Sequence, residues 1–65
     1  MNWQETIRDC LEREERSQAW LARKARMDTN YLSAILNDLR HPGSKVLGRL
    51  DRAMGLPLGT LQGLR

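Results

Sequence analysis

Apolar residues recur along this chain at helical spacing, and nowhere at the alternate-residue spacing of a half-buried strand. In NWQETIRDCLEREER, Trp3, Ile7, Cys10 and Leu11 share one face of a first helix, with Asn2 placed as its N-cap. Ser17 is positioned to cap a short second helix, QAWLARKA, whose inner side is Leu21, Ala22 and Ala25. Asp28 caps a third helix, where a carboxylate suits the positive end of the helix dipole. On the wheel of that helix Tyr31, Leu32, Ile35, Leu36 and Leu39 gather on one side, and Thr29, Asn30, Ser33 and Asn37 on the other. The run RHPG ends it, because His41 precedes a proline and is held out of the helical region. Ser44 is read as the cap of a fourth helix carrying Val46, Leu47, Leu50 and Met54 inward, with Gly55 beyond its C-terminus. Pro57 is read as opening a last short helix in PLGTLQGL. The pattern predicts an all-α, compact bundle of five short helices in one domain spanning residues 1–65.

Length narrows what such a bundle can do. A chain of 65 residues buries only about 60% of its unfolded surface, which leaves no room for a large substrate or cofactor. No apolar run is long enough for a membrane span, and residues 2–16 alternate too finely for a signal peptide. The lone Cys10 has no partner for an internal disulfide and reads as a small apolar residue of the first helix in a reducing compartment. A cytoplasmic protein, bacterial or phage-encoded, is expected. One histidine, His41, and one cysteine fall short of an ordinary zinc site, and no metal, cofactor or small-molecule ligand is expected. Nor is an enzyme: His41 and Cys10 lie on different elements, there is no glycine-rich phosphate loop, and the carboxylates sit at ion-pair spacings on an outer face.

Charge changes the picture. Residues 1–15 carry Glu5, Asp9, Glu12, Glu14 and Glu15 against Arg8 and Arg13, a net charge of −3. Residues 16–65 carry nine Lys or Arg against Asp28, Asp38 and Asp51, a net charge of +6. An acidic end followed by a basic remainder points to a polyanion as partner of the second part. Within that part, Thr29 to Asn37 holds no charge at all, although 29% of the chain is charged. The wet side of the third helix offers short side chains that donate and accept hydrogen bonds without the cost of desolvating a charge. Such an edge fits a DNA major groove, where Asn pairs with an adenine edge and Ser or Thr with several bases.

Several residues in order sharpen this reading. Gln18 opens the second helix, Leu21-Ala22 lies inside it, and a short turn leads into Asp28-Thr29. Leu32 and Ile35 follow at buried spacing, then the connector RHPGSKVLGRL and the ending RAMGLP. Over residues 17–61 the chain resembles the helix-turn-helix domain of phage repressors and Cro proteins, the XRE-type family, with the helix-turn-helix core at 17–38. The resemblance implies a lambda-repressor-like fold and a sequence-specific regulator of transcription. Most simply it is a Cro-type repressor that binds double-stranded DNA as a weak dimer on a palindromic operator. It places base contacts at Thr29, Asn30, Ser33 and Asn37, and backbone contacts at Gln18, Arg40 and Lys45. Two positions depart from the family pattern. Arg26 stands where the turn usually has glycine, so it either carries a left-handed backbone at a cost of about 1 kcal/mol or reshapes the turn. It is also a further candidate for the phosphates. Ala34 stands where a polar base contact is common.

Two readings compete with a repressor: an antitoxin or accessory-operon autoregulator with the same fold, and a helical protein-interaction module that does not bind DNA. For the dimer, the C-terminal leucines Leu58, Leu61 and Leu64 are the candidates, since they drift around their helix instead of forming one stripe. Trp20 points away from Leu21, Ala22 and Ala25, and is expected either to pack near Trp3 or under an arginine, or to meet a partner.

Overall fold

The computed structural model describes residues 2–64, and Met1 and Arg65, the ends of the expected 1–65 span, lie outside them. Four α-helices follow in order: α1 (Trp3–Arg13), α2 (Gln18–Lys24), α3 (Thr29–Leu36) and α4 (Ser44–Ala53). Among the described residues there is no strand.

Each of the first three helices starts where a short polar side chain can hold an unpaired amide. Asn2 Oδ1 accepts from the Glu5 amide at 2.8 Å, Ser17 Oγ from Trp20 at 3.1 Å, and Asp28 Oδ1 from Asn30 at 2.7 Å. A cap of this kind contributes about 1 kcal/mol. The fourth start differs from expectation. Gly43, not Ser44, is the N-cap, and no side chain caps the helix. Ser44 is the first helical residue, because the Gly43 carbonyl already accepts from the Leu47 amide.

All four helices end in one way. The residue after each C-cap is left-handed: Glu15 at φ 55°, Arg26 at 58°, Asp38 at 61° and Gly55 at 73°. The following amide then reaches back five residues, Arg16 to Leu11, Met27 to Ala22, Leu39 to Ala34 and Leu56 to Asp51, at 2.8–2.9 Å. This is the Schellman motif, which satisfies carbonyls that the helix itself leaves open. Only Gly55 adopts the left-handed region without a steric cost. Asp38 also corrects the reading of α3. The helix stops at Leu36, the chain turns at Asp38, and Leu39 is thrown outward to 77% exposure instead of joining the buried side.

The helices enclose a core of Trp3, Ile7, Leu11, Leu21, Ala22, Ala25, Leu32, Ile35, Leu36, Leu47, Leu50, Ala53 and Leu61. The inner positions expected for α1, α2 and α3 are there, Leu39 excepted, while Cys10, Tyr31, Val46 and Met54 are only partly covered. Beyond α4 the expected fifth short helix is reduced to one 3-10 turn and does not start at Pro57. Residues 58–61 form turns, and the single 3-10 turn, Gln62–Leu64, follows. Gly59, at φ 91°, breaks any helical run from Pro57. The segment is pinned instead by Asp51, a fully buried carboxylate on α4. Its Oδ2 accepts from the Gly59 amide at 2.9 Å and its Oδ1 from the Leu61 amide at 3.0 Å. This anchor draws Leu61 to 0% exposure. Leu61 is therefore a core residue and not a dimer contact, because its side chain has no surface left to offer. Leu64 is half-buried against the core, and Leu58 is 69% exposed where it lies over Gly48 of α4.

Candidate nucleic-acid interface

α2 and α3 pack more extensively on each other than any other pair of elements. Ala22 is fully buried between them, so a side chain no larger than a methyl lets the helices approach. Leu21, Leu32 and Ile35, all at 0% exposure, set how α3 seats on the core. With that side anchored, the opposite edge of α3 must face solvent. Thr29, Asn30 and Asn37 are exposed, and Ser33 and Ala34 are partly so. Eight helical residues make an edge about 12 Å long, the scale of a few base pairs.

The four polar side chains on that edge are not equivalent. Among the described residues, Thr29 and Asn30 bond to nothing through their side chains, because the cap Asp28 takes only the Asn30 main-chain amide. The Asn30 carboxamide thus keeps both a donor and an acceptor free, the pair that an adenine edge requires. Asn37 is already engaged. As C-cap of α3, it accepts through Oδ1 from Arg8 of α1 at 2.9 Å and donates through Nδ2 to Ser33 Oγ at a longer 3.4 Å. The same guanidinium nitrogen of Arg8 donates to the Leu36 carbonyl at 2.8 Å, closing the C-terminal end of α3. Sequence spacing treats Arg8 as one more solvated charge of α1, so nothing along the chain signals this bridge.

The cationic candidates lie in the segments that flank α3, Arg26 in the turn before it, Arg40 in the connector after it and Lys45 at the start of α4. Arg26, Arg40 and Lys45 are exposed, and Gln18 is partly covered at the start of α2. Arg26 does carry the left-handed backbone expected of the turn, and its side chain lines a shallow cleft with Lys24, Arg49 and Arg52. Among the described residues the one ion pair is Arg13 with Asp9, at 3.2 Å on the surface of α1. Among the described residues no carboxylate forms an ion pair with the cations of the cleft. That cluster was hidden in the sequence because its members come from two separated segments. We expect Arg26→Gly to raise thermal stability, by about 0.5–1 kcal/mol, while weakening DNA binding through the lost charge. A thermal melt and a binding titration check both signs, and an unchanged affinity removes Arg26 from the phosphates.

Trp20 is half-buried against the core, with the Arg16 guanidinium 4.8 Å and the Lys24 ammonium 4.9 Å from its ring centroid. Of the two expectations, the packed one is realised. Cys10 donates to Glu14 at 3.1 Å, and burial, then the Glu14 hydrogen bond, pushes its thiol above the ordinary value. A thiol held in its protonated form is a poor nucleophile, in keeping with a structural role. No helix among the described residues is long and apolar enough to cross a membrane.

No curated protein and no solved structure matches the chain significantly. The helix-turn-helix family does, over residues 7–61, which takes in all of α2, α3 and α4 and most of α1. With α2 and α3 packed as described and an uncharged edge of α3 turned outward, the chain belongs to the XRE-type helix-turn-helix family, whose members are DNA-binding regulators of transcription.

Proposed function

We propose that this regulator is a repressor of the Cro type that reads a palindromic operator as a dimer. In this reading residues 1–65 form a single domain with the helix-turn-helix at 17–38. Thr29, Asn30 and Ser33 touch base edges, with Asn37 at the far end of the edge. Gln18, Arg26, Arg40 and Lys45 hold the phosphates. The observation that carries it is the free pair Thr29–Asn30 at the exposed start of α3, in a helix whose flanking segments carry exposed cations that form no ion pair among the described residues. Side chains that make no contact within the protein can turn to a base without first breaking a bond. Repression requires nothing more of such a domain than occupancy of the groove. It would act wherever bacterial or phage DNA is accessible, in the cytoplasm.

Three or four short contacts discriminate poorly, so two copies on half-sites about 34 Å apart are needed for a usable operator. Leu58 supports this, as an exposed large hydrophobic residue on the C-terminal segment. The contact is small, and the free protein is mostly monomeric until DNA brings two copies together.

Selection of bound sequences from a random DNA pool tests the proposal. A palindromic consensus with a spacing near one helical turn is the expected result, and an unpaired half-site or no consensus would overturn it. Asn30→Ala should then lower specific affinity by about 1–3 kcal/mol and leave binding to random DNA nearly intact. Equal losses on both would make Asn30 a backbone contact.

A further inference from the structure

We infer that Arg8 on α1 is a specificity-determining positioning residue, which fixes the Asn37 amide so that it offers a base its Nδ2–H and no carboxamide oxygen, a presentation that favours guanine over adenine. The inference rests on the base-contacting reading of Ser33 and Asn37.

Direction is set by the arginine. A guanidinium donates and never accepts, at any working pH. The Asn37 atom facing it at 2.9 Å must therefore be the oxygen. That choice forces Nδ2 to the other side, where one hydrogen goes to Ser33 Oγ at 3.4 Å. Its second hydrogen makes no bond among the described residues. Ser33 Oγ, having accepted, keeps its own hydrogen, which also bonds to nothing among the described residues. The neighbouring side chains Ser33 and Asn37, one helical turn apart, thus keep two free donors and no free carboxamide oxygen, with one hydroxyl lone pair of Ser33 as the remaining acceptor.

Two adjacent donors select among base edges. Guanine offers two acceptors, O6 and N7, in the major groove. Adenine offers N7 beside an amino donor, and cytosine offers an amino donor, which the fixed Asn37 amide cannot accept, so only the remaining lone pair of the Ser33 hydroxyl can meet it. A free Asn amide would favour adenine instead, by pairing with N6 and N7 together. Arg8 thus turns an adenine-reading side chain into part of a guanine reader, and it does so from a helix that never enters the groove. Asn30, which has no such partner, keeps the adenine-type pairing. The two asparagines of one helix are given different reading chemistry by one residue outside it.

The test uses sequence selection from random DNA by the full chain and by Asn37→Ala, Arg8→Met and Arg8→Lys. The base pair whose preference vanishes in Asn37→Ala should be G·C in the parent. Replacing its guanine by 7-deazaguanine, which lacks N7, should weaken parent binding about fivefold or more and leave Asn37→Ala binding unchanged. Arg8→Met should admit adenine at that pair to within about twofold of guanine, with every other position unchanged. Arg8→Lys, still a donor only, should keep the guanine preference. Circular dichroism monitors folding of each variant. An even loss of affinity in Arg8→Met with the preference intact would reduce Arg8 to a cap of α3 and overturn the inference. So would a 7-deazaguanine site bound as tightly as guanine, or an Asn37→Ala consensus identical to the parent's. That last result leaves the reading by Asn30 standing, whereas a parent with no consensus defeats both.

Discussion

Asp51→Ala should destabilise the folded chain by about 2–4 kcal/mol, enough to lower its melting temperature by roughly 10–20 °C in a domain of this size. Both oxygens of this carboxylate are used, one by the Gly59 amide and one by the Leu61 amide, and the side chain is fully buried. Truncation leaves two amides without an acceptor, one of them at the buried Leu61, and the stranding of a buried donor is what makes such a change costly. It also releases the segment that carries Leu61 into the core. Asp51→Asn separates these effects. The amide is nearly isosteric but has one oxygen, so it serves one amide and points an amino group at the other. Thermal melts followed by circular dichroism should rank the parent above Asn and Asn above Ala. Equal stability of all three would mean that the C-terminal segment is held by Leu61 packing alone.

Leu58→Asp should leave the melting curve almost unchanged and remove the advantage of a full palindrome over a half-site, a loss of about a hundredfold on the full site. The side chain is 69% exposed, so a carboxylate there remains hydrated and costs the monomer little. In an isologous contact each residue meets its own symmetry neighbourhood, so one substitution brings two new charges into a single small apolar interface. Titrations on full and half-sites give the answer. Cooperative binding that survives the change would place the dimer contact elsewhere on the chain, and a cooperative loss of helicity would make Leu58 part of the core.

Periodicity made the helices legible, and short polar residues before them made three of the four starts legible. Trp3, Ile7 and Leu11, then Leu21, Ala22 and Ala25, are buried as their spacing implies. Spacing says nothing of where a helix stops, however. Leu39 continues the apolar rhythm of α3, but Asp38 turns the chain first, and the rhythm beyond that point has no helix to belong to. The C-terminal leucines were harder still. Their fate depends on Gly59 breaking the helix and on Asp51, eight residues earlier, seizing its amide.

At the interface, the polar edge of α3 could be read from the sequence because it is local to one helix. Its internal differences could not. Asn30 and Asn37 are the same residue type on the same edge, and only the distant Arg8, 29 positions before Asn37, distinguishes them. Charged residues were the least legible class. Arg8 and Asp51 count as surface charge in any composition, yet one bridges two helices and the other is buried.

The left-handed helix ends have a consequence for how long the protein lasts. Glu15, Arg26 and Asp38 hold a backbone that glycine would adopt freely, with Asp38 the least strained of the three. After allowing for the entropy that glycine would add to the unfolded chain, each keeps the folded state about 0.5–1 kcal/mol higher than it need be. Together they enlarge the unfolded fraction roughly ten- to a hundredfold over a chain with glycine at all three ends. Proteases in a cell act on that fraction, so strain at three turns is expected to shorten the lifetime relative to the glycine-ended chain. A chain with glycine at all three ends is therefore expected to persist longer in a cell than this one, which a pulse-chase comparison checks.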